Sequence, residues 1–296
     1  MMRFGFVALA GRPNAGKSTL INALVNEKIA IVSPKPQTTR SEIRGIVNTE
    51  DAQIVFTDTP GIHKAKSRLE SRMNKEASNV IHGVDVIYLI TDGTQPYGTG
   101  DEFVLNMVKE AGVPVFLIFN KIDRMPKEKV LKNLLSWQER FAFAEIFPLS
   151  ALKGRDFEDL LATTIRYLPE GDAMYPREIV SDNPENFRIA EIIREKILHF
   201  TEEEVPHAAA VVIERKEYVK DGCEIQAMIL AERPGQKAIL IGKQGSMLKK
   251  IGTEARKDIE QFLGCHVRLS LFVRVEKDWR EIDSRITQYG YGHTDE

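Results

Sequence analysis

The residues best equipped for chemistry stand close to the start of the chain, where "GRPNAGKST", Gly11 to Thr19, fits the spacing Gly-x4-Gly-Lys-Ser. In such a loop backbone N–H groups wrap phosphates, the Lys17 ammonium reaches the β and γ oxygens, and the Ser18 hydroxyl ligates Mg2+. Gly11, Asn14, Ala15, Gly16 and Thr19 complete the expected phosphate cradle. The loop alone does not name a base. "FNKID" does: the Asp123 carboxylate can accept from both the N1–H and the exocyclic amine of guanine, a pair adenine cannot return. Lys121 is expected to lay its stem over the base, and Asn120 to tie this loop to the phosphate loop. "PLSALKG" adds Ser150 and Ala151, whose backbone would face the guanine O6.

A γ-phosphate needs further partners, and "FTDTPG" supplies them. Asp58 would hold Mg2+ through water, and the Gly61 N–H would meet the γ-phosphate. Between the two motifs lies "SPKPQTTRSE", a polar stretch suited to a first switch segment, in which Thr39 is expected to give Mg2+ its second hydroxyl, with Thr38 as the alternative. Ile62 follows Gly61, so no glutamine stands there to orient water. His63 is available, although a loop histidine is commonly just a solvated side chain. A monovalent cation, K+, beside the phosphates would supply the missing positive charge, and Asn14 is placed to ligate it; an asparagine in a turn is also commonplace. The catalytic set expected is therefore Lys17, Asn14, Thr39 and Gly61, with GTP as substrate and GDP as product.

These loops need a scaffold that presents strand ends side by side. From residue 1 to 170, β-rich apolar runs such as "RFGFVALA", "AQIVFTD", "VDVIYLITD" and "VPVFLIFN" alternate with segments repeating apolar residues at three and four. That alternation predicts a doubly wound α/β domain with a mostly parallel sheet and ligands beyond the carboxyl ends of its strands. Residues 171–186 carry prolines and acidic residues without a period and are expected to be a linker. From 187 to 296 the order becomes α-β-β-α-α-β, a separate α+β unit, with strands expected over "HAAAVVIERKEYV", "EIQAMILAER" and "HVRLSLFVRVE".

Inside that second unit, "ILIGKQGSMLKKIG" joins two helical stretches through Gly242, Lys243, Gln244 and Gly245. A GxxG by itself is an ordinary helix–helix turn. Between paired helices, and with Lys237, Lys243, Lys249, Lys250, Arg256 and Lys257 nearby, it is the loop that lets glycine backbone approach sugar-phosphates while an apolar groove holds unstacked bases. The expected RNA contacts are Gly242, Lys243, Gln244, Gly245, Lys249 and Lys250.

Composition narrows the remaining classes. A net charge of -2 over 296 residues excludes a global positive field, so nucleic acid must be met by a local patch. Cys223 and Cys265 have no metal-ligand or disulfide-framework spacing and are expected to be inert thiols. Apolar runs such as "VPVFLIF" fall short of the roughly 20 residues of a membrane helix, and "MMRFGFVALA" is expected to be the first strand rather than a targeting segment.

In this order GRPNAGKS, QTTR, DTPG, NKID and SAL resemble the translation-factor-related GTPases, among which Asn14 matches a potassium-ligating asparagine. Over nearly its full length the chain resembles the bacterial ribosome-assembly GTPases that carry a C-terminal KH domain. That resemblance implies a P-loop GTPase domain followed by a type II KH domain, and GTP hydrolysis gating a contact with the 3′ end of small-subunit ribosomal RNA and with the small ribosomal subunit. It further implies a cytoplasmic monomer with a peripheral fraction at the inner face of the cell membrane. Two rivals stand beside it: a membrane-surface or signalling GTPase whose second domain binds lipid or protein, and a phosphoryl transferase acting on a small molecule.

Overall fold

The computed structural model describes residues 2–154 and 157–291. It divides into two compact units, the first formed by residues 1–66 and 70–182, the second by 67–69 and the chain from Asn183 onward.

The first unit is built on six strands in the order β2-β3-β1-β4-β5-β6. In chain order they are β1 (Arg3–Gly11), β2 (Ile43–Asn48), β3 (Ala52–Asp58), β4 (Val86–Asp92), β5 (Val115–Asn120) and β6 (Glu145–Pro148). Helices α1 (Lys17–Val25), α2 (Arg68–His82), α3 (Thr99–Lys109), α4 (Lys127–Gln138) and α5 (Phe157–Tyr167) intervene. Every residue of β3 and of β5 is buried, which is why these strands read as continuous apolar runs: both faces of a parallel sheet are covered. β2 is the exception to parallel pairing and runs antiparallel to β3. Only residues 49–51 join the two, too few for the crossover that parallel strands require.

The segment expected to be a linker is partly bound. Gln53, fully buried on β3, accepts from the backbone N–H of Met174 and Tyr175 at 2.8 and 2.9 Å and donates to Tyr175 O at 2.8 Å. Ile46 N–H on β2 donates to Val180 O at 2.9 Å. Residues 171–182 are thus a strap along the β2 edge, and the first unit ends at Asp182 rather than at 170. Prolines exclude a helix or a central strand, but they leave the remaining backbone free to bond an open edge.

The second unit comprises α6 (Glu185–Phe200), α7 (Val205–Ala208), β7 (Ala210–Val219), β8 (Gly222–Ala231), α8 (Pro234–Ile241), α9 (Ser246–Leu263), β9 (Val267–Val275) and α10 (Asp283–Gln288). β8 is central, antiparallel to β7 and parallel to β9. Ile189, Ile193 and Ile197 on α6, and Ile251, Ala255 and Ile259 on α9, recur every four residues, so each set forms one buried stripe. They close over the inward residues of β8, Ile225, Ala227 and Ile229. The strand expected from His207 begins at Ala210, because Pro206 sits in the first turn of α7, a position where a missing N–H costs nothing. After β9 the chain returns to the core: Trp279 is fully buried and its indole N–H donates to Ala208 O at 2.9 Å.

Candidate nucleotide site and nucleic-acid interface

The carboxyl ends of β1, β3, β5 and β6 bring the predicted loops of the first unit to one cavity of about 440 Å3. Asn14, Gly16, Lys17, Ser18, Thr19, Thr39, Gly61, Asn120, Lys121, Asp123, Ser150 and Ala151 all line it. Of the residues expected there, Gly11, Ala15 and Asp58 stand just behind the wall. Gly16 has φ 106°, and a Cβ on it would lie 2.2 Å from the Asn120 amide nitrogen, so only glycine fits. A Cβ on Gly61 would come within 2.8 Å of Pro13; the second switch is therefore seated against the phosphate loop itself.

Lys17 is buried, and its ammonium donates to the carbonyls of Gly11 and Arg12, each at 3.3 Å. Burial pushes its pKa down, opposed by the nearby Asp58 carboxylate. Around Asp58 three oxygens converge. Ser18 Oγ donates to Asp58 Oδ2 at 2.6 Å, Thr39 Oγ1 donates to the same oxygen at 3.2 Å, and the two hydroxyls are 2.8 Å apart. Asp58 Oδ1 is buried without a hydrogen-bond partner, and burial pushes this carboxyl up against the pull of Lys17, Ser18 and Thr39. Two hydroxyls and a carboxylate with an unspent oxygen are a fitting donor set for a hard divalent cation such as Mg2+. Thr38 also lines the cavity, but its hydroxyl donates to Lys35 O at 2.7 Å rather than to Asp58. His63 does not line the cavity; its Nδ1 lies 2.8 Å from Gly61 O and its Nε2 3.3 Å from the amide nitrogen of Gln37, which itself donates to Glu70 at 2.6 Å.

The base-reading side is held by one amide. Asn120 Nδ2 donates to Ala15 O at 2.9 Å, while its Oδ1 accepts from the N–H groups of Lys121 and Ala151 at 2.8 and 2.9 Å. The phosphate loop, NKID and SAL are thereby joined through a single side chain. Asp123 is held below the usual carboxylate range, chiefly by the Ser150 hydrogen bond. Lys121 donates to Asn14 O at 2.6 Å and to Asp92 at 2.7 Å. Burial works against the charge of Asp92, but hydrogen bonds from Lys121 and Thr94 outweigh it and hold the group low. Asp92 went unnoticed in the sequence, although "YLITD" ends a strand in an acid just as "IVFTD" does; it pairs with Asn120 across β4 and β5.

A further carboxylate, Glu76 on α2, accepts from the Glu42 N–H at 2.8 Å, next to the first switch. Its second oxygen is buried without a partner, and burial pushes the group up to about 7.

In the second unit the GxxG segment forms the turn between α8 and α9. Gly242 has φ 73°, and a Cβ there would meet Met247 at 2.8 Å; Gly245 has φ 78° and open space around it. Gly245, Leu248, Lys249, Gly252 and Arg256 on the α9 side face Val267, Leu269 and Leu271 of β9 across a groove of about 590 Å3. Lys243 and Gln244 stand exposed at the tip of the turn, outside the groove lining. Lys250, expected on RNA, turns the other way: its ammonium lies 4.1 Å from the centroid of Phe200 on α6. Helical spacing explains this, since positions 249 and 250 are about 100° apart. Gly252 lies inside α9. A Cβ on it would lie 3.3 Å from Leu271, so its lack of a side chain keeps the groove open.

A guanine-reading P-loop cavity on a doubly wound sheet, followed by an α-β-β-α-α-β unit with a glycine-turn groove, defines a GTPase with a C-terminal KH domain. The family model described as "50S ribosome-binding GTPase" matches residues 6–121, and the KH domain model matches 204–280. GTPase Era of Clostridium kluyveri is 45% identical over 292 residues, covering 98% of this chain and 100% of that protein. The Era GTPase of Lacticaseibacillus paracasei is 47% identical over 98% of this chain and 97% of its own length. The chain belongs to the Era family of GTPases. Among solved structures, Era in complex with MgGDPNP and nucleotides 1506–1542 of 16S ribosomal RNA superposes with a TM-score of 0.96 at 38% identity, covering 99% of this chain and 100% of that one. An Aquifex aeolicus Era variant bound to GDP and AlF4- gives 0.95 at the same identity and coverage.

Proposed function

We propose that this GTPase uses its nucleotide cycle to govern the binding of single-stranded small-subunit ribosomal RNA near the 3′ end, in assembly of the small ribosomal subunit. The observation that carries the reading is the presence, on one chain, of a guanine-reading cavity and a glycine-turn groove with Lys249 and Arg256 on its wall. A relative of the same span holds MgGDPNP and 16S ribosomal RNA. In this reading Ser18 and Thr39, with Asp58 behind them, hold Mg2+, which when bound neutralises charge on the β- and γ-phosphates. Lys17 exchanges the carbonyls of Gly11 and Arg12 for phosphate oxygens, Asp123 selects guanine, and Gly61 senses the γ-phosphate.

The positive charge that an arginine supplies elsewhere is assigned to K+ held by Asn14, whose Nδ2 donates to Pro34 O in the first switch at 2.9 Å and whose Oδ1 is the oxygen a cation would take. K+ is expected to accelerate hydrolysis over Na+ at equal ionic strength, with Asn14→Ala erasing the difference; equal rates in the two salts would remove K+ from the scheme. The protein is assigned to the cytoplasm as a monomer, with a peripheral membrane fraction. Among the described residues no helix is long and apolar enough to cross a membrane.

The test of the main reading is crosslinking in cells followed by sequencing of the bound RNA, with a vesicle-binding assay beside it. Enrichment of the 16S 3′ end is the expected result. Association with anionic vesicles and no RNA would turn the second domain into a lipid-binding module.

A further inference from the structure

The sheet of the second unit has one face buried under helices and one left open. On β9, Val267, Leu269, Leu271 and Val273 belong to the core, so the period of two sends Arg268, Ser270, Phe272 and Arg274 to the opposite face. β-register puts Val212 of β7, Met228 of β8 and Phe272 of β9 in one cross-strand row. An open sheet face is ordinarily polar, yet Phe272 is 48% exposed on an edge strand, and no other ring packs on it among the described residues. Guanidinium groups stand on either side of it along the strand. Their partners are the exposed Glu224, 3.0 Å from Arg268, and the partly buried Glu276, 3.7 Å from Arg274 and also 3.2 Å from Arg285; the first pair is exposed and the second long, so both hold weakly enough for a phosphate to replace them.

The face is continuous with the groove. Arg268 and Ser270 line the groove and by the strand period also point to the open face, four and two residues before Phe272. We propose that Phe272 is a base-stacking platform for single-stranded RNA, receiving the nucleotide that leaves the groove over the β9 edge, with Arg268 and Arg274 taking its flanking phosphates. The proposal rests on reading the groove as an RNA site. An aromatic ring serves this purpose without regard to sequence, because every base has a π-face. A purely apolar partner would have no use for the paired guanidiniums.

The test measures affinity for two RNAs, the fragment 1506–1542 of 16S ribosomal RNA and a tetranucleotide long enough only for the glycine-turn groove. Phe272→Ala and Phe272→Leu are expected to weaken the long RNA about tenfold and leave the tetranucleotide unchanged. Phe272→Trp should restore wild-type affinity. Gly245→Asp weakens both RNAs, and unchanged GTP hydrolysis in each variant reports an intact first unit. Wild-type affinity of Phe272→Leu for the long RNA overturns the platform, as does equal weakening of both RNAs by Phe272→Ala, which would signal a disturbed fold. If Gly245→Asp also leaves both affinities intact, the groove reading fails separately. A Phe272-dependent protein complex without an RNA effect would assign the face to a protein instead.

Discussion

The nucleotide cavity and the glycine-turn groove sit on one chain but are made by different rules. In the cavity, named atoms meet named atoms: the Asn120 amide bonds three loops at 2.8–2.9 Å, and Ser18, Thr39 and Asp58 bring oxygen to oxygen. In the groove, the contribution of the chain is mostly shape, with backbone turned left-handed at Gly242 and Gly245 and space left at Gly252. A site of the first kind fails when an atom is exchanged. A site of the second kind fails when something is added.

That difference can be pressed experimentally, and the largest effect belongs to Lys17→Ala. Removing the buried ammonium should lower hydrolysis at saturating GTP by ~10³-fold or more while RNA affinity stays as it was; near-normal turnover would deny Lys17 its role. Glu76→Gln probes a buried group beside the first switch whose behaviour is set by burial. Its carboxyl is pushed up to about 7 from an ordinary 4.5, so the native state favours the proton, and stability present below about pH 4.5 is lost as the pH rises through 7. The loss amounts to up to ~3 kcal/mol. The glutamine keeps an acceptor for the Glu42 N–H and should flatten the curve of denaturation midpoint against pH between those values. Parallel curves for variant and wild type would show that the group titrates normally.

Asp123→Asn is an exchange of one acceptor for a donor and should move preference from GTP to xanthosine triphosphate by ~10- to 100-fold, at about 1–3 kcal/mol for an unmatched group. Undiminished guanine selectivity in competition would take NKID out of the site. Gly245→Asp is the matching insult to the groove. There the added carboxylate meets open space rather than protein, but it faces phosphate and strains a left-handed residue. RNA binding should fall by about an order of magnitude, and less at high salt, with GTP hydrolysis untouched. Tight binding by this variant would reduce GKQG to a plain turn.

The same contrast explains what could be read from the residues alone. Gly16, Lys17, Asn120 and Asp123 were legible because phosphate and guanine demand fixed residue types at fixed spacing, and the strands that carry them are buried on both faces and so stand out as apolar runs. Asp92 was not, because an acid whose task is to hold Lys121 belongs to no short motif. Lys250 was misplaced by the same logic in reverse: basic residues were grouped by nearness along the chain, whereas the helix sends 249 and 250 to different faces. The strap over 171–182 was invisible for another reason. Its hydrogen bonds come from backbone and are answered by Gln53, more than a hundred residues earlier, so no local pattern announces them.

That strap decides how the molecule can be divided. β2 is an edge strand, and an uncovered edge is a template for pairing with another copy. A fragment ended at residue 170, where the apolar periodicity stops, would strip Val180 from Ile46 and leave the fully buried Gln53 amide without its partners at 174 and 175. Such a piece would keep every nucleotide-binding residue and still be a poor protein, sticky along one border. Carried on to Asp182, the GTPase unit brings its own selvedge.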